Sequence, residues 1–197
     1  MKYLLFAIVL FVTTMTSASA VDDNHYVTQA QNWFSNLKVA KTRFEQIDYQ
    51  GQSIFGTFYI NKPGRLRFEY DAPIKDYIVA DGYLIHFYDG DSGQVNSGPI
   101  GSTLADFILR KGNSFNDKVT IESVRELDDI VMIAVSQTDQ PGMGQLVLNF
   151  TKDPFDLNSW RIIDAQGLTT DVILSDLNRD VDLSPTLFRI NNQNLNE

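Results

Sequence analysis

Few side chains in this sequence could perform chemistry, and they do not combine into a catalytic set. Its two histidines, His25 and His86, stand at a predicted helix start and inside an alternating strand pattern, where histidine is usually structural or exposed. No zinc-protease, nucleophile-elbow or phosphate-loop motif occurs. The absence of cysteine excludes disulfides, thiol catalysis and zinc–thiolate sites. The sequence therefore predicts a binding protein without metal or cofactor rather than an enzyme.

Two groups of acidic residues are alternative sources of chemistry, and each has a simpler explanation. The segment 89–93, Asp-Gly-Asp-Ser-Gly, resembles the start of a calcium loop but lacks the downstream bidentate Glu, and its composition is that of a turn. Carboxylates that could pair occur at Asp153, Asp156, Asp164 and Asp171, on predicted strands and turns. We interpret them as solvated charges at strand edges, which disfavours an exported hydrolase.

The region 55–89 places large aromatic residues on both faces of a predicted sheet. Apolar and polar residues alternate through three runs, broken at 62–64, 71–73 and 81–82, a pattern typical of antiparallel strands with short connections. The aromatic residues are Phe55, Phe58, Tyr59, Phe68, Tyr70, Tyr77, Tyr83, Phe87 and Tyr88. A thin sheet seldom needs that much apolar surface unless something covers or fills it, so the interior is expected to be a packed core or an apolar cavity.

The elements that would position these residues are many strands and a few helices. Residues 24–38 carry apolar side chains at helical spacing, and residues 102–112 combine an N-terminal Ser, an apolar face and a terminal Gly, which indicates a second helix. Strand patterns occur near 40–49, 53–61, 65–70, 76–80, 83–88, 93–97, 118–124, 130–137, 145–151, 159–165, 168–176 and 186–190. This order predicts an α+β fold, with about eleven strands in one curved antiparallel sheet and helices across its open mouth.

The N-terminus predicts an exported protein. Residues 1–20 contain a basic start at Lys2, an apolar stretch and a small-residue cleavage site, the pattern of a signal peptide too short to span a membrane. Cleavage would leave residues 21–197 as one domain, expected to be a free, soluble monomer in the periplasm. The formal net charge of −9 disfavours nucleic acid and anionic lipid headgroups as partners.

Several short motifs follow one another in a recognisable order. They are Lys62-Pro63, Arg67-Phe68-Glu69-Tyr70, the stretch 78–82, Phe87-Tyr88-Asp89, the stretch 164–174 and a last strand-like segment at 187–190. Together they resemble the outer-membrane lipoprotein carrier proteins, the periplasmic LolA family. The resemblance implies an unclosed β-barrel with a helical lid over a hydrophobic cavity. It also implies a chaperone that takes triacylated lipoproteins from an inner-membrane ABC release complex to the outer membrane, where an acceptor receives them if one is present.

The resemblance also implies roles for individual residues. Lys62 matches a basic residue, typically Arg in the family, that holds the lid shut; lysine lacks the planar multi-donor fork, so this latch is expected to be weaker or differently built. The cavity would be lined by Leu66, Phe68, Phe55, Phe58, Tyr83, Ile85 and Phe87. The lid would comprise Trp33, Phe34, Leu37, Leu104, Phe107 and Ile108. Core and cavity lining share one chemistry, so the sequence leaves open which aromatic residues line the cavity, and Lys62 is alternatively an ordinary turn lysine.

Two further functions stay open on the same fold: a lipid-sensing regulatory module, and a carrier of another lipid such as a glycolipid. The lipoprotein carrier explains the aromatic excess because each buried methylene is worth about 0.8 kcal/mol, so acylated proteins need an apolar enclosure to cross water. The carrier must also be able to release the acyl chains. We therefore expect two nearly balanced states, one with the lid packed in the mouth and one with ligand there.

Overall fold

The computed structural model describes residues 23–103, 105–110, 115 and 117–190. Helix α1 (Asp23–Asn36) begins this part of the chain, and α2 (Ala105–Leu109) lies between the sixth and seventh strands. The strands are β1 (Val39–Ile47), β2 (Ser53–Asn61), β3 (Arg65–Tyr70), β4 (Tyr77–Asp81), β5 (Leu84–Tyr88), β6 (Val95–Pro99), β7 (Val119–Leu127), β8 (Ile130–Gln137), β9 (Gly144–Lys152), β10 (Phe155–Asp164) and β11 (Thr169–Asn178). In the described ranges, 3₁₀ turns cover Ile100–Ser102, Pro141–Met143 and Pro185–Phe188.

The described strands form one eleven-stranded antiparallel sheet. Its order is β6-β5-β4-β3-β2-β1-β11-β10-β9-β8-β7, so neighbours in sequence are neighbours in space except where β1 pairs with β11. Strands β6 and β7 lie at opposite edges, which leaves the barrel unclosed. This confirms the predicted fold class of a single antiparallel sheet with few helices.

The sheet is strongly curved. Phe68 on β3 and Trp160 on β10 are separated by four strand spacings, which is ~19 Å in a flat sheet. Their ring centroids lie only 6.3 Å apart. The two halves of the sheet therefore curl toward each other and enclose an inner face.

The inner and outer faces each carry an apolar cluster. Both helices pack on the inner face, against residues from both halves of the sheet such as Phe44, Phe58 and Phe150. Gly56 leaves room for the Phe44 ring and for the Glu69 carbonyl oxygen, because a Cβ built at Gly56 would stand 2.6 Å from that ring and 2.3 Å from that oxygen. A smaller cluster on the outer face consists of Tyr77, Val79, Tyr88 and Phe188.

The predicted last strand at 186–190 is wrong, because this segment begins with a 3₁₀ turn at Pro185–Phe188. Pro185 has no amide hydrogen to donate to a ladder, and the Ser184 hydroxyl accepts the Thr186 amide at 3.3 Å. The turn buries Phe188 on the outer face. The predicted signal peptide 1–20, Leu104, residues 111–112 of the predicted second helix and the tail 191–197 lie outside the described residues.

Candidate functional site

Helix α1 turns one apolar stripe toward the inner face of the sheet. Ala30 and Phe34 are buried there together with Leu37, which directly follows the helix, and Trp33 is partly buried beside them. The Phe34 ring packs edge-to-face on Phe107 of α2, with 5.3 Å between the centroids, and such a pair adds ~0.5–1.5 kcal/mol to the effect of burial. The two helices thus form one apolar layer over the sheet, which we call the helical cover.

A small cavity lies between the helical cover and the sheet. Its wall is apolar and consists of Trp33, Phe34, Leu37, Ala40, Phe58, Ile60, Ile108, Leu157, Trp160, Leu174 and Leu177. The cavity volume is about 10 Å³, at the lower limit for holding a single water molecule. The protein's own side chains therefore fill the interior while the helices hold this position.

Most of the predicted cavity residues lie on the inner face of the sheet. In-register pairing aligns Phe58, Phe68, Ile78 and Phe87 in one row across β2 to β5. A second row contains Ile60, Leu66, Ala80 and Ile85. Phe58 lines the small cavity, Leu66 and Ile85 are buried, and Phe87 is 45% exposed. The apolar inner face therefore continues from the interior to an exposed aromatic ring near the β6 edge.

Two predicted cavity residues lie elsewhere. Phe55 is three residues before Phe58 on β2, so strand alternation directs its ring to the outer face, where it pairs with Glu45 and is 49% exposed. Tyr83 stands in the β4–β5 turn and is 86% exposed. Strand parity and turn position, rather than aromatic character, decide where a ring points, so the structure separates these two residues from the other five predicted cavity residues.

The β2–β3 hairpin ties both helices to the sheet. Lys62 Nζ donates a hydrogen bond of 2.9 Å to the carbonyl oxygen of Phe34, in the last turn of α1. The negative end of the helix dipole lies there, which favours a cation. Two residues later, the Gly64 amide donates to the carbonyl oxygen of Leu109 in α2 at 2.9 Å. The predicted latch residue thus contacts the predicted lid directly.

Lys62 is held in a partly desolvated position. Burial, with repulsion from Lys38 as a smaller cause, lowers the pKa of Lys62 from 10.5 to about 8. The Lys62 ammonium also lies 5.7 Å from the centroid of the Phe34 ring. A fraction of the Lys62 side chains is therefore neutral near pH 8 while the helical cover is in place.

A second polar contact of α1 was not predicted from the sequence. The indole Nε1 of Trp33 donates a hydrogen bond of 2.6 Å to Asp156 Oδ1 on β10. Arg179, directly after β11, donates to the same oxygen at 2.5 Å, and its guanidinium lies 5.4 Å from the Trp33 ring centroid. From the sequence, we interpret Asp156 as a solvated charge at a strand edge. The sequence signal for this contact is that a Trp on an apolar helix face needs an acceptor for its indole N–H.

The other candidate groups have local partners. His86 Nδ1 lies 2.7 Å from Ser97 Oγ, and Asp89 Oδ1 accepts the backbone amides of Asp91 and Ser92, which is the pattern of a capped turn. Across the described ranges, no three His, Cys, Asp or Glu side chains come together as metal ligands would. None of the helices described in the structure is long and apolar enough to cross a membrane.

Comparison with known proteins gives consistent matches. The family model for "Outer membrane lipoprotein carrier protein LolA" matches residues 35–191. An outer-membrane lipoprotein carrier protein of Nitrosomonas europaea is 27% identical over 96% of this chain and 94% of its own length. One of Coxiella burnetii is 30% identical over 64% of this chain, which spans only 58% of that relative. A DUF1329 family protein of Desulfovibrio piger shares the fold, with a TM-score of 0.53 and 11% identity over 84% of this chain and 95% of that one.

Proposed function

Because this chain belongs to the outer membrane lipoprotein carrier protein family, LolA, we propose that it is a periplasmic chaperone for lipoproteins. It binds the acyl chains of lipoproteins released from the inner membrane and carries them to the outer membrane. The observation that supports this best is the inner face of the sheet. Its apolar rows run beneath the helical cover and extend beyond it to Phe87, which is 45% exposed.

The task requires binding rather than catalysis. Transferring acyl chains into water costs about 0.8 kcal/mol for each methylene, so three chains cannot cross the periplasm unprotected. The inner face offers aromatic and aliphatic side chains of matching apolarity, such as Phe58, Phe68 and Leu66. A carrier of this kind needs no cofactor or metal.

Cargo can enter only if the helical cover moves. The cavity of about 10 Å³ admits no acyl chain, so the cover acts as a lid whose apolar residues fill the mouth until ligand replaces them. The lid residues in this proposal are Trp33, Phe34, Leu37, Phe107 and Ile108; Leu104, predicted with them, lies outside the described residues. Binding is then an exchange between two packed states, which keeps the net affinity moderate and permits release.

Lys62 is the latch in this proposal. Its hydrogen bond to the Phe34 carbonyl oxygen joins the last turn of α1 to the β2–β3 hairpin. A lysine offers one flexible ammonium where an arginine offers a planar fork, and burial makes its charge costly. We therefore expect a latch that closes the lid but opens at a modest free-energy cost.

The partners follow from the same role. They are triacylated lipoproteins, an inner-membrane ABC release complex and, where one exists, an outer-membrane acceptor. The acidic net charge of −9 makes nucleic acid an unsuitable partner. The chain is proposed to work as a monomer, because each lid closes over the inner face of its own sheet.

An uptake assay tests the proposal. The purified protein is incubated with inner-membrane vesicles that contain the release complex and a triacylated lipoprotein, and the soluble fraction is examined by native mass spectrometry. We expect a complex with one lipoprotein, formed only when ATP is present. The matched control is the same lipoprotein without acylation, which should not bind. A carrier that stays empty, or that collects only free lipid, would overturn the proposal.

A further inference from the structure

Two adjacent residues of α1 connect the helix to opposite halves of the sheet. The Phe34 carbonyl oxygen accepts Lys62 from the β2–β3 hairpin, and the Trp33 indole donates to Asp156 on β10. In the sheet order, β2 and β10 are three strand spacings apart, on either side of the β1–β11 pair. The last turns of α1 therefore bridge the mouth of the half-barrel.

We propose that Asp156, positioned by Arg179, is a second anchor of the lid helix and sets how often the lid opens. This inference rests on the proposed function only in assigning α1 to the lid. Asp156 is a positioning residue, because it acts on the lid through Trp33.

Several hydrogen bonds hold the Asp156 carboxylate in place as an acceptor. Its Oδ1 accepts the Trp33 indole at 2.6 Å, the Leu157 amide at 3.0 Å and Arg179 Nη2 at 2.5 Å. The Arg179 Nη1 lies 3.4 Å from Oδ2. Hydrogen bonds to a charged acceptor are shorter and stronger than neutral ones. The carboxylate is thereby fixed in the direction of the indole.

The hydrocarbon part of the cargo cannot replace this contact. Hydrocarbon tails can substitute for the apolar packing of Phe34, but they carry no acceptor for the Trp33 N–H. Opening must therefore break the hydrogen bond to Asp156. An open groove of about 440 Å³, lined by Asn32, Asn36 and Arg179 among others, adjoins the anchor. Water can reach the freed groups there, so the anchor breaks reversibly without stranding a buried polar atom.

Hydrogen exchange without any lipid tests the anchor. Backbone amide exchange is compared between the wild type, Trp33→Phe, Asp156→Ala and Asp156→Asn. We expect exchange within α1 to accelerate roughly ten-fold in the first two variants, as for loss of one hydrogen bond to a charged group. It should accelerate less in Asp156→Asn, whose amide oxygen can still accept the indole. Exchange in the central strands β1 and β11 should change little.

The ion pair between Arg161 and Asp171 provides a matched control. It has bonds of 2.6 and 2.8 Å and similar exposure, but it links the neighbouring strands β10 and β11 instead of helix α1. Asp171→Asn should leave α1 exchange within two-fold of the wild type. Unchanged α1 exchange in Asp156→Ala overturns the proposal, as does a uniform acceleration across the sheet, which would mark Asp156 as a general stabiliser. A wild type that takes up no lipoprotein would instead refute the proposed function and leave this result standing.

Discussion

Replacing Phe34 by alanine separates a lid residue from an ordinary core residue. Phe34 is completely buried, and its ring contacts Trp33, Phe107 and Phe150 at centroid distances of 4.9, 5.3 and 6.2 Å. A Phe→Ala change at such a position costs ~3–5 kcal/mol. At about 2–4 °C for each kcal/mol in a chain of this size, Tm of the empty protein should fall by about 6–20 °C.

The loaded protein should respond differently. If the lid swings away to admit cargo, the contacts of Phe34 are already lost in the loaded state, and the substitution removes little more. Destabilising only the closed state by about 3 kcal/mol raises the apparent affinity for an apolar ligand about a hundred-fold. Phe34→Ala should therefore be less stable when empty and bind a fluorescent long-chain fatty acid more tightly.

The assay combines fatty-acid titration with thermal unfolding of empty and loaded protein. Phe188→Ala is the matched control, because Phe188 is equally buried but lies on the outer face against Tyr77 and Tyr88. It should lower Tm by a similar amount in both states and leave the affinity unchanged. Equal Tm losses in empty and loaded Phe34→Ala, with unchanged affinity, would refute the lid reasoning and make Phe34 a permanent core residue.

Three further predictions concern the latch, the inner face and the sheet. The pKa of Lys62 is about 8 in the closed protein and returns toward 10.5 on rehydration, so between pH 8 and pH 10.5 the open state binds more protons than the closed state. Fatty-acid binding requires the open state and should therefore weaken as pH rises through this window, by up to about ten-fold per pH unit. Lys62→Arg should not show this dependence. A strengthening with pH would contradict this. Phe87→Glu should reduce lipoprotein uptake, whereas Phe55→Glu, equally exposed on the outer face, should not; equal losses would argue against an inner-face route. Gly56→Ala should lower the free energy of unfolding by ~1–3 kcal/mol in urea titrations, because the new Cβ would stand 2.3 Å from the Glu69 carbonyl oxygen and 2.6 Å from the Phe44 ring. Gly98→Ala, with open space around it, should be nearly neutral, and a neutral Gly56→Ala would show that both the Phe44 ring and the β3 backbone can move aside.

Much of the fold was predictable because its signals are local. The period-two alternation and the turn residues of 55–89 correspond to β2 to β5, and the stripe of Trp33, Phe34 and Leu37 corresponds to the face that α1 buries. The segment 186–190 was mistaken for a strand because its apolar residues serve a different contact, burial of Phe188 on the outer face.

The candidate site was predictable only in part. The sequence indicated that Lys62 stands in a turn, but the helix carbonyl that it reaches lies 28 residues away. The Trp33–Asp156 contact spans 123 residues and has no local signature beyond an indole that needs an acceptor. Leu66, predicted to line the cavity, is only 2% exposed and is buried with Ile60 and Ala80. A charged substitution there would therefore disrupt packing as well as ligand binding.

The sequence alone determined which residues share a face, because the repeats of strands and helices are properties of the local backbone. It could not determine which face becomes the interior, since that depends on the pairing of β1 with β11 and on the curvature that follows. That long-range pairing brings Trp160 onto Phe68, assigns Phe58 to the inside and Phe55 to the outside, and places Asp156 within reach of α1. Tertiary structure thus decided which apolar surface is enclosed, and which polar groups hold the helices over it.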